Sequence, residues 1–320
     1  MRVALLFPGQ GAQYVGMGKD YWEGYELAAE LLARAELLLN RPLRSLLLEG
    51  PEELLTATLN SQVALFVTAQ AQLELLRARF PELEVSYVAG FSLGEYNALV
   101  AAGCLSFDEA LLLVQKRAQL MHSACDRHPG SMAALLGFPD AQLASLLLEA
   151  AAEGEELVVA NYNGPGQRVI SGHRLAVERA CLLAAERGAR GAIPLKVAGA
   201  FHSPLMAEAQ AQFERHLMEA SWLQGSLPIA LNSTAQLTSE LDQILPAVVR
   251  QMAQGVLWEQ SIAQIEQQAP SLYLEVGAGK TLTSLQRRMG VDAPAFSLDR
   301  ADGFRCIEQW LHDQQGALES

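Results

Sequence analysis

The strongest constraint on the fold is a strand–turn–helix pattern around one serine. Residues 85–90 read VSYVAG, an apolar run with the length of a buried strand. GFSLG follows at 90–94, and a helix-like run then continues to Gly103. A G-x-S-x-G turn in this setting is typical of a nucleophile elbow, which holds the serine hydroxyl at a helix N-terminus. The pattern leaves two interpretations of Ser92 open: a nucleophile, or a small residue filling a tight turn.

Strands and helices alternate over most of the chain. Strands are predicted at 3–7, 85–90, near 228–232 and at 272–276, with helical patterns between them. This alternation predicts an α/β fold with a mostly parallel sheet covered by helices. Ligands bind such sheets at the carboxyl ends of the strands. The turns PGQG and GFSLG both follow strands, and both are therefore expected at that edge.

A second unit is predicted inside the first. The strands are expected at 132–138, 157–163, 167–172 and 192–199, and the helices at 140–153 and 174–188. Their β-α-β-β-α-β order is that of a ferredoxin-like unit. The chain is therefore divided into a large α/β subdomain made of 1–128 and 199–320, and a small inserted subdomain at 129–198.

Composition excludes several classes of function. The chain has 320 residues, half of them hydrophobic, and a formal net charge of −13, which disfavours binding to nucleic acid. No apolar stretch reaches the ~18 residues of a membrane span. The apolar run Val3–Phe7 is broken at once by Pro8, so no signal peptide is predicted and a cytoplasmic location is expected. The four cysteines form no CxxC pattern, and neither disulfides nor a zinc site is expected.

A serine nucleophile needs a base, and His202 is the best candidate among six histidines. It lies in the apolar run VAGAFHSPLM, where the chain returns from the inserted unit to the sheet. The alternative is an ordinary buried histidine. Of the aspartates between Ser92 and His202, Asp126 is possible as a third member but has no orienting context. A Ser–His dyad, with the imidazole oriented by a backbone carbonyl or an amide, is the better interpretation.

Arg117 interrupts an apolar helical stripe. Phe107, Ala110, Val114 and Met121 share one face with it at alternating spacings of three and four. An arginine here can extend its charge to solvent or pair with a buried carboxylate. It can also be a bidentate clamp for a carboxylate of the substrate. The sequence alone leaves these alternatives open.

Together these motifs resemble a known enzyme family. The resemblance rests on FPGQGAQYVGMG near the N-terminus, GFSLGEYNALVAAG with Ser92, KRAQLM with Arg117, GAFHSPLM with His202, VRQM and VLWEQSI with Gln251, and LEVGAGKTL. These segments, in this order from about residue 3 to 290, are similar to the malonyl-CoA:acyl-carrier-protein transacylase family. The resemblance implies an α/β-hydrolase-like large subdomain with an inserted ferredoxin-like small subdomain, in agreement with the strand and helix pattern.

The resemblance also implies catalytic roles. Ser92 would be the acylated nucleophile and His202 its base. The backbone N–H groups of Gln10 and Leu93 would form the oxyanion hole. Gln251 would help hold His202, in place of the missing aspartate.

Substrate recognition is implied in the same way. Arg117 would bind the free carboxylate of malonate, and Gln62 and Asn163 would line the pocket. The family usually has histidine where this chain has Phe91, and that departure affects substrate choice. The sequence around His202 resembles malonyl-type acyltransferases, and GEYNAL resembles stand-alone acyltransferases that serve polyketide synthases.

The function implied is transfer of malonyl from malonyl-CoA to the phosphopantetheine thiol of an acyl carrier protein, in fatty acid or polyketide synthesis. Malonyl-CoA is then a substrate, and no metal or redox cofactor is implied. The alternatives are hydrolysis of acyl groups on carrier proteins, for which Phe91 leaves room, and a non-catalytic scaffold. Carrier proteins of these pathways are acidic, so Arg187, Arg190 and Lys196 form a candidate docking patch. The other interpretation of that patch is an ordinary solvated helix end.

Overall fold

The large subdomain is built on a six-stranded sheet. The computed structural model describes residues 2–319, with side chains for residues 2–314. The strand order is β10-β9-β1-β2-β7-β8, and every neighbouring pair is parallel except β7 and β8. The central strand β1 (Val3–Phe7) is buried at all five positions, as its unbroken apolar sequence requires. The predicted α/β class with a mostly parallel sheet is confirmed.

The elements follow one another along the chain without an internal repeat. The remaining strands are β2 (Val85–Gly90), β3 (Gly130–Leu136), β4 (Leu157–Gly164), β5 (Gln167–His173), β6 (Gly191–Pro194), β7 (Ile229–Ala230), β8 (Leu237–Thr238), β9 (Leu272–Glu275) and β10 (Ala295–Ser297). The helices are α1 (Lys19–Gly24), α2 (Glu26–Leu39), α3 (Leu43–Glu49), α4 (Glu52–Thr56), α5 (Thr58–Arg79), α6 (Gly94–Ala101), α7 (Phe107–Arg127), α8 (Asp140–Ala150), α9 (Arg174–Glu186), α10 (Ala207–Glu219), α11 (Leu241–Arg250), α12 (Trp258–Glu266), α13 (Thr281–Met289) and α14 (Gly303–Glu319), with a 3₁₀ turn at Pro204–Met206.

The small subdomain has the predicted β-α-β-β-α-β order. Its antiparallel sheet runs β4-β5-β3-β6, the strand order of a ferredoxin-like unit. Leu135, Leu146, Ile170 and Val177 belong to a separate apolar core between this sheet and helices α8 and α9. The boundaries at 129 and 198 stay a prediction.

The structure differs from the sequence predictions at short edge elements. Strands β8 and β10 were not predicted, because two or three residues are too few to show a periodicity. The strand predicted at 192–199 ends at Pro194. Proline lacks the N–H that a ladder needs, and the following residues leave the sheet to cross to the large subdomain.

The parallel strands β1 and β2 end side by side, so the loops that follow them are adjacent. Phe7, the last residue of β1, pairs with Gly90, the last residue of β2. The turns that follow them therefore lie side by side at the carboxyl edge of the sheet. A Cβ atom on Gly94 would lie 2.0 Å from the Phe7 carbonyl oxygen, so only glycine allows this approach.

The segment after α11 joins the two subdomains. Val256 N–H donates to the carbonyl of Ala160 on β4 (2.8 Å), and Tyr162 N–H donates to the carbonyl of Val256 (2.9 Å). Arg168 on β5 reaches Glu259 on α12, with 2.8 Å between Nη1 and Oε2. These contacts hold the small subdomain beside the carboxyl edge of the large sheet and leave a cleft between them. Among residues 2–319, no helix is both long and apolar enough to cross a membrane.

Candidate active site

Ser92 lies in the turn between β2 and α6 with a strained backbone. Its φ is 52°, in the left-handed region that non-glycine residues rarely adopt. Such strain is found at functional sites more often than elsewhere. Ser92 Oγ lies 2.7 Å from His202 Nε2, which is hydrogen-bonding distance. The structure thus brings together the two residues that the sequence pointed to as nucleophile and base.

His202 is oriented by backbone carbonyls. Its Nδ1 lies 2.9 Å from the Gln251 carbonyl oxygen and 3.1 Å from that of Gln254. Carbonyls only accept hydrogen bonds, so Nδ1 carries the proton and Nε2 is left to accept the proton of Ser92 Oγ. Asp126, the aspartate considered as a third member, is exposed and lies beside His122. This is the arrangement of a dyad without an acid.

Burial, together with the nearby positive charge of Arg117, lowers the pKa of His202 to about 4. The backbone carbonyls of Gln251 and Gln254 act the other way, because they stabilise the protonated ring. The imidazole is therefore neutral at physiological pH and ready to accept a proton.

The resemblance implies that Ser92 becomes acylated, and the low pKa of His202 then has a measurable consequence for the rate of that step. Because only neutral imidazole accepts the proton, the rate is expected to stay level from about pH 7 down to about pH 5 and to fall near pH 4. Rapid-quench measurement of acyl-enzyme formation across that range tests this. An acid limb close to 6.5, the ordinary value for histidine, would contradict the account. The Arg117→Ala variant should move the limb upwards, because a neighbouring positive charge is removed.

The elbow is held by a residue that the sequence analysis missed. Ser92 N–H donates to Asn232 Oδ1 (2.7 Å), and Asn232 Nδ2 donates to the Gly90 carbonyl (2.6 Å). Asn232 thereby hydrogen-bonds to the main chain on both sides of Phe91. The only signal in the sequence was a polar residue following the short strand β7, at the carboxyl edge where ligands bind.

Gln10 and Leu93 follow the paired ends of β1 and β2. Gln10 lines the cleft, and Leu93 directly follows the nucleophile at the start of α6. Within the described residues, neither backbone N–H has a hydrogen-bond acceptor. Two free donors beside the Ser92 hydroxyl suit an oxyanion hole. Their assignment to that role stays a prediction.

Arg117 reaches the site from α7, whose N-terminus is capped by the side chain of Ser106. The guanidinium is buried, with Nη1 2.6 Å from Gln62 Oε1. Nη2 lies 3.1 Å from Ser92 Oγ and 3.0 Å from Gln251 Oε1. Arg117 therefore does not extend its charge to solvent.

No carboxylate contacts Arg117 among the described residues, since all its hydrogen bonds go to neutral oxygens. Its Nε has no partner there. A buried cation without a directly paired anion is costly, and a ligand carboxylate would relieve that cost. The geometry thus favours the clamp over the other two interpretations of Arg117.

Gln251 contacts His202 through its main chain. Its backbone carbonyl accepts from His202, while its side chain points to the elbow. Nε2 donates to the Ser92 carbonyl (2.6 Å) and to Glu95 Oε2 (2.8 Å). Gln251 thus bonds to His202 through its main-chain carbonyl, and to the Ser92 carbonyl and Arg117 through its side-chain amide.

A cleft with a volume of about 120 Å³ lies above Ser92 and His202 and opens to solvent. Phe91 lines it and packs edge-on against Trp258, with 5.5 Å between the ring centroids. Asn161 lines the cleft, and Asn163 does not. Gln62 lies behind Arg117 instead of in the lining. The ring of Phe91 makes one wall of the cleft apolar.

Comparison with known proteins decides the family. A family model described as acyl transferase domain matches residues 4–297. The chain belongs to the acyl transferase family. A curated relative, the malonyl CoA-acyl carrier protein transacylase of Bacillus subtilis (strain 168), is 39% identical over 290 residues, which are 90% of each chain.

Solved structures of this acyl transferase family have the same fold. The acyl-carrier-protein-S-malonyltransferase of Bartonella henselae matches with a TM-score of 0.92 and 34% identity, over 98% of this chain and 100% of that one. A type II polyketide synthase acyl-carrier protein in complex with its malonyl-transacylase matches with a TM-score of 0.91 and 32% identity, over 95% and 97%. The predicted family and the two-subdomain fold are confirmed.

Proposed function

We propose that this chain transfers malonyl from malonyl-CoA to the phosphopantetheine thiol of an acyl carrier protein. The observation that carries the proposal is the buried Arg117 guanidinium, without a carboxylate partner among the described residues, 3.1 Å from the Ser92 hydroxyl. This geometry supports a role for Arg117 in binding a substrate carboxylate beside the Ser92 hydroxyl, which is paired with His202. The names of the curated and structural relatives agree with this activity.

The first half-reaction loads the enzyme. His202 Nε2 takes the proton of Ser92 Oγ as the oxygen attacks the thioester carbonyl of malonyl-CoA. The backbone N–H groups of Gln10 and Leu93 stabilise the oxyanion. The C–S bond then breaks, the coenzyme A thiolate takes the proton from His202, and a malonyl ester remains on Ser92. Arg117 holds the free carboxylate throughout.

The second half-reaction unloads the enzyme to a carrier protein. His202 removes the proton of the phosphopantetheine thiol, and the sulfur attacks the malonyl ester. The C–O bond to Ser92 breaks, and Ser92 recovers its proton from His202. This cycle needs no cofactor, because serine, histidine and backbone donors supply each step.

Arg117 also provides selectivity. A neutral acyl chain such as acetyl would leave the buried guanidinium without an anionic partner, whereas malonyl supplies one. Hydrolysis of acyl groups on carrier proteins, the alternative for which Phe91 leaves room, has no support among the relatives named above.

Steady-state kinetics test the activity. Initial rates with varied malonyl-CoA and phosphopantetheinylated carrier protein are expected to give parallel double-reciprocal lines, with malonyl-carrier as the main product. Free malonate as the main product would contradict the proposal and revive the hydrolase.

The candidate docking patch is smaller than the sequence suggested. Arg187 forms an ion pair with Glu149, so its charge is partly neutralised. Arg190 and Lys196 are exposed but flank opposite ends of β6, and only Lys196 lines the mouth of the cleft.

Charge reversal at Arg190 and Lys196 tests whether these two exposed residues contribute to binding of the carrier protein. The double variant Arg190→Glu, Lys196→Glu is expected to raise the KM for an acidic carrier about tenfold, with most of the effect from Lys196 at the cleft mouth. Arg187→Glu is the matched control and should change this KM less. The effect should shrink at high salt, because exposed charges are screened. An unchanged KM in the double variant would remove the patch.

A further inference from the structure

We propose that Glu95 is a positioning residue that holds the Ser92 elbow and the Arg117 clamp in one fixed arrangement. This inference rests on the proposed function. Glu95 is the second residue of α6 and is buried beneath the cleft. Its two carboxylate oxygens bond to two different parts of the site.

The first oxygen supports the elbow. Glu95 Oε1 accepts from the backbone N–H of Asn232 (2.8 Å). The Asn232 side chain in turn bonds to Ser92 N–H and to the Gly90 carbonyl. Fixing Asn232 therefore fixes the strained turn that carries the nucleophile.

The second oxygen supports the clamp. Glu95 Oε2 accepts from Gln251 Nε2 (2.8 Å), which also donates to the Ser92 carbonyl. With its nitrogen committed to these two acceptors, the Gln251 amide must present Oε1 to Arg117 Nη2 (3.0 Å). Glu95 thus sets the amide orientation that positions the guanidinium, and it does so without contacting Arg117.

The chemistry at this position calls for a carboxylate. Both groups that face Glu95 are donors, and a carboxylate offers acceptors only. A glutamine of the same size would turn its NH₂ group towards one of the two donors. The hydrogen bond to that donor, either Asn232 N–H or Gln251 Nε2, would then be lost. Burial raises the pKa of Glu95 to about 7, and the hydrogen bonds from Asn232 and Gln251 and the charge of Arg117 oppose this rise because they stabilise the carboxylate.

Another buried glutamate provides a matched control. Glu275, at the end of β9, accepts from Leu282 N–H (2.9 Å) and Thr283 N–H (2.7 Å), and burial raises its pKa as well. It has the same two-donor environment but only ties a strand to a helix N-terminus. Glu275→Gln therefore reports the structural cost of removing such a group.

The test compares Glu95→Gln with Glu275→Gln in the full chain. Both should lower the thermal midpoint. Only Glu95→Gln is expected to slow malonylation of Ser92 about 10- to 100-fold. It should also lower the preference for malonyl-CoA over acetyl-CoA at least fivefold, because Gln251 no longer fixes Arg117. A purely structural role would not move this ratio in the folded protein.

Malonylation of the unaltered protein tests the proposed function, and the Glu95→Gln variant tests the positioning role. If the unaltered protein is not malonylated, the proposed function fails. If it is malonylated and Glu95→Gln keeps both its rate and its malonyl preference, the positioning role fails. If Glu95→Gln does not fold, Glu95→Asp replaces it in the test. Aspartate keeps the carboxylate, but its shorter side chain moves both oxygens away from Asn232 and Gln251. A lowered malonyl preference in Glu95→Asp supports the role, and an unchanged preference overturns it.

Discussion

Ser92→Ala, His202→Ala and the double variant are expected to lose malonyl transfer to nearly the same residual rate, about 10⁴-fold below the unaltered protein. The 2.7 Å contact between Ser92 Oγ and His202 Nε2 makes the two side chains one unit. Without the base the hydroxyl is a poor nucleophile, and without the hydroxyl the base has no proton to take. Measured kcat/KM values for malonyl transfer should therefore be strongly non-additive.

Folding controls are needed because both residues are in strained backbone. His202 has a φ of 57°, close to the value at Ser92. Alanine keeps the Cβ at each position, so thermal midpoints should change little. If the losses from the two single variants multiplied in the double variant, the residues would act independently and the dyad would be wrong.

Arg117→Ala is expected to lower kcat/KM for malonyl transfer by about 10²- to 10³-fold while acetyl transfer changes little or rises. The reason is that malonyl loses its ionic partner, whereas acetyl no longer has to bury an unpaired guanidinium. The measurement is the ratio of kcat/KM for malonyl-CoA to that for acetyl-CoA, in the variant and the unaltered protein.

Arg117→Lys is the informative control for this prediction. Lysine keeps the charge but lacks the planar fork that bonds to Gln62, Gln251 and Ser92 at once. It should retain part of the malonyl preference. If malonyl and acetyl rates fell together in Arg117→Ala, Arg117 would only support the fold of the site, and the clamp would be wrong.

The sequence was informative where a residue's role follows from its neighbours along the chain. The elbow at Ser92 is local, because a strand, two glycines and a helix suffice to place it. The inserted unit was equally visible, since its six elements follow each other in order. His202 was harder, yet the return from the insertion to the sheet marked it.

The supporting network could not be predicted, because its contacts join distant segments. Asn232 lies 140 residues from Ser92 in the chain, and only the pairing of β2 with β7 brings them together. Glu95 resembles any acidic residue in the first turn of a helix. The role of Gln251 was expected from the resemblance, but whether its main chain or its amide holds His202 depends on the turn after α11.

The most direct test of the account is the intact mass of the purified protein after mixing with malonyl-CoA, followed by peptide mapping. We predict one malonyl group, mapped to Ser92 and absent in Ser92→Ala, which disappears when phosphopantetheinylated carrier protein is added and reappears on the carrier. Malonyl on another residue, or no covalent intermediate while transfer proceeds, would contradict the central role of Ser92.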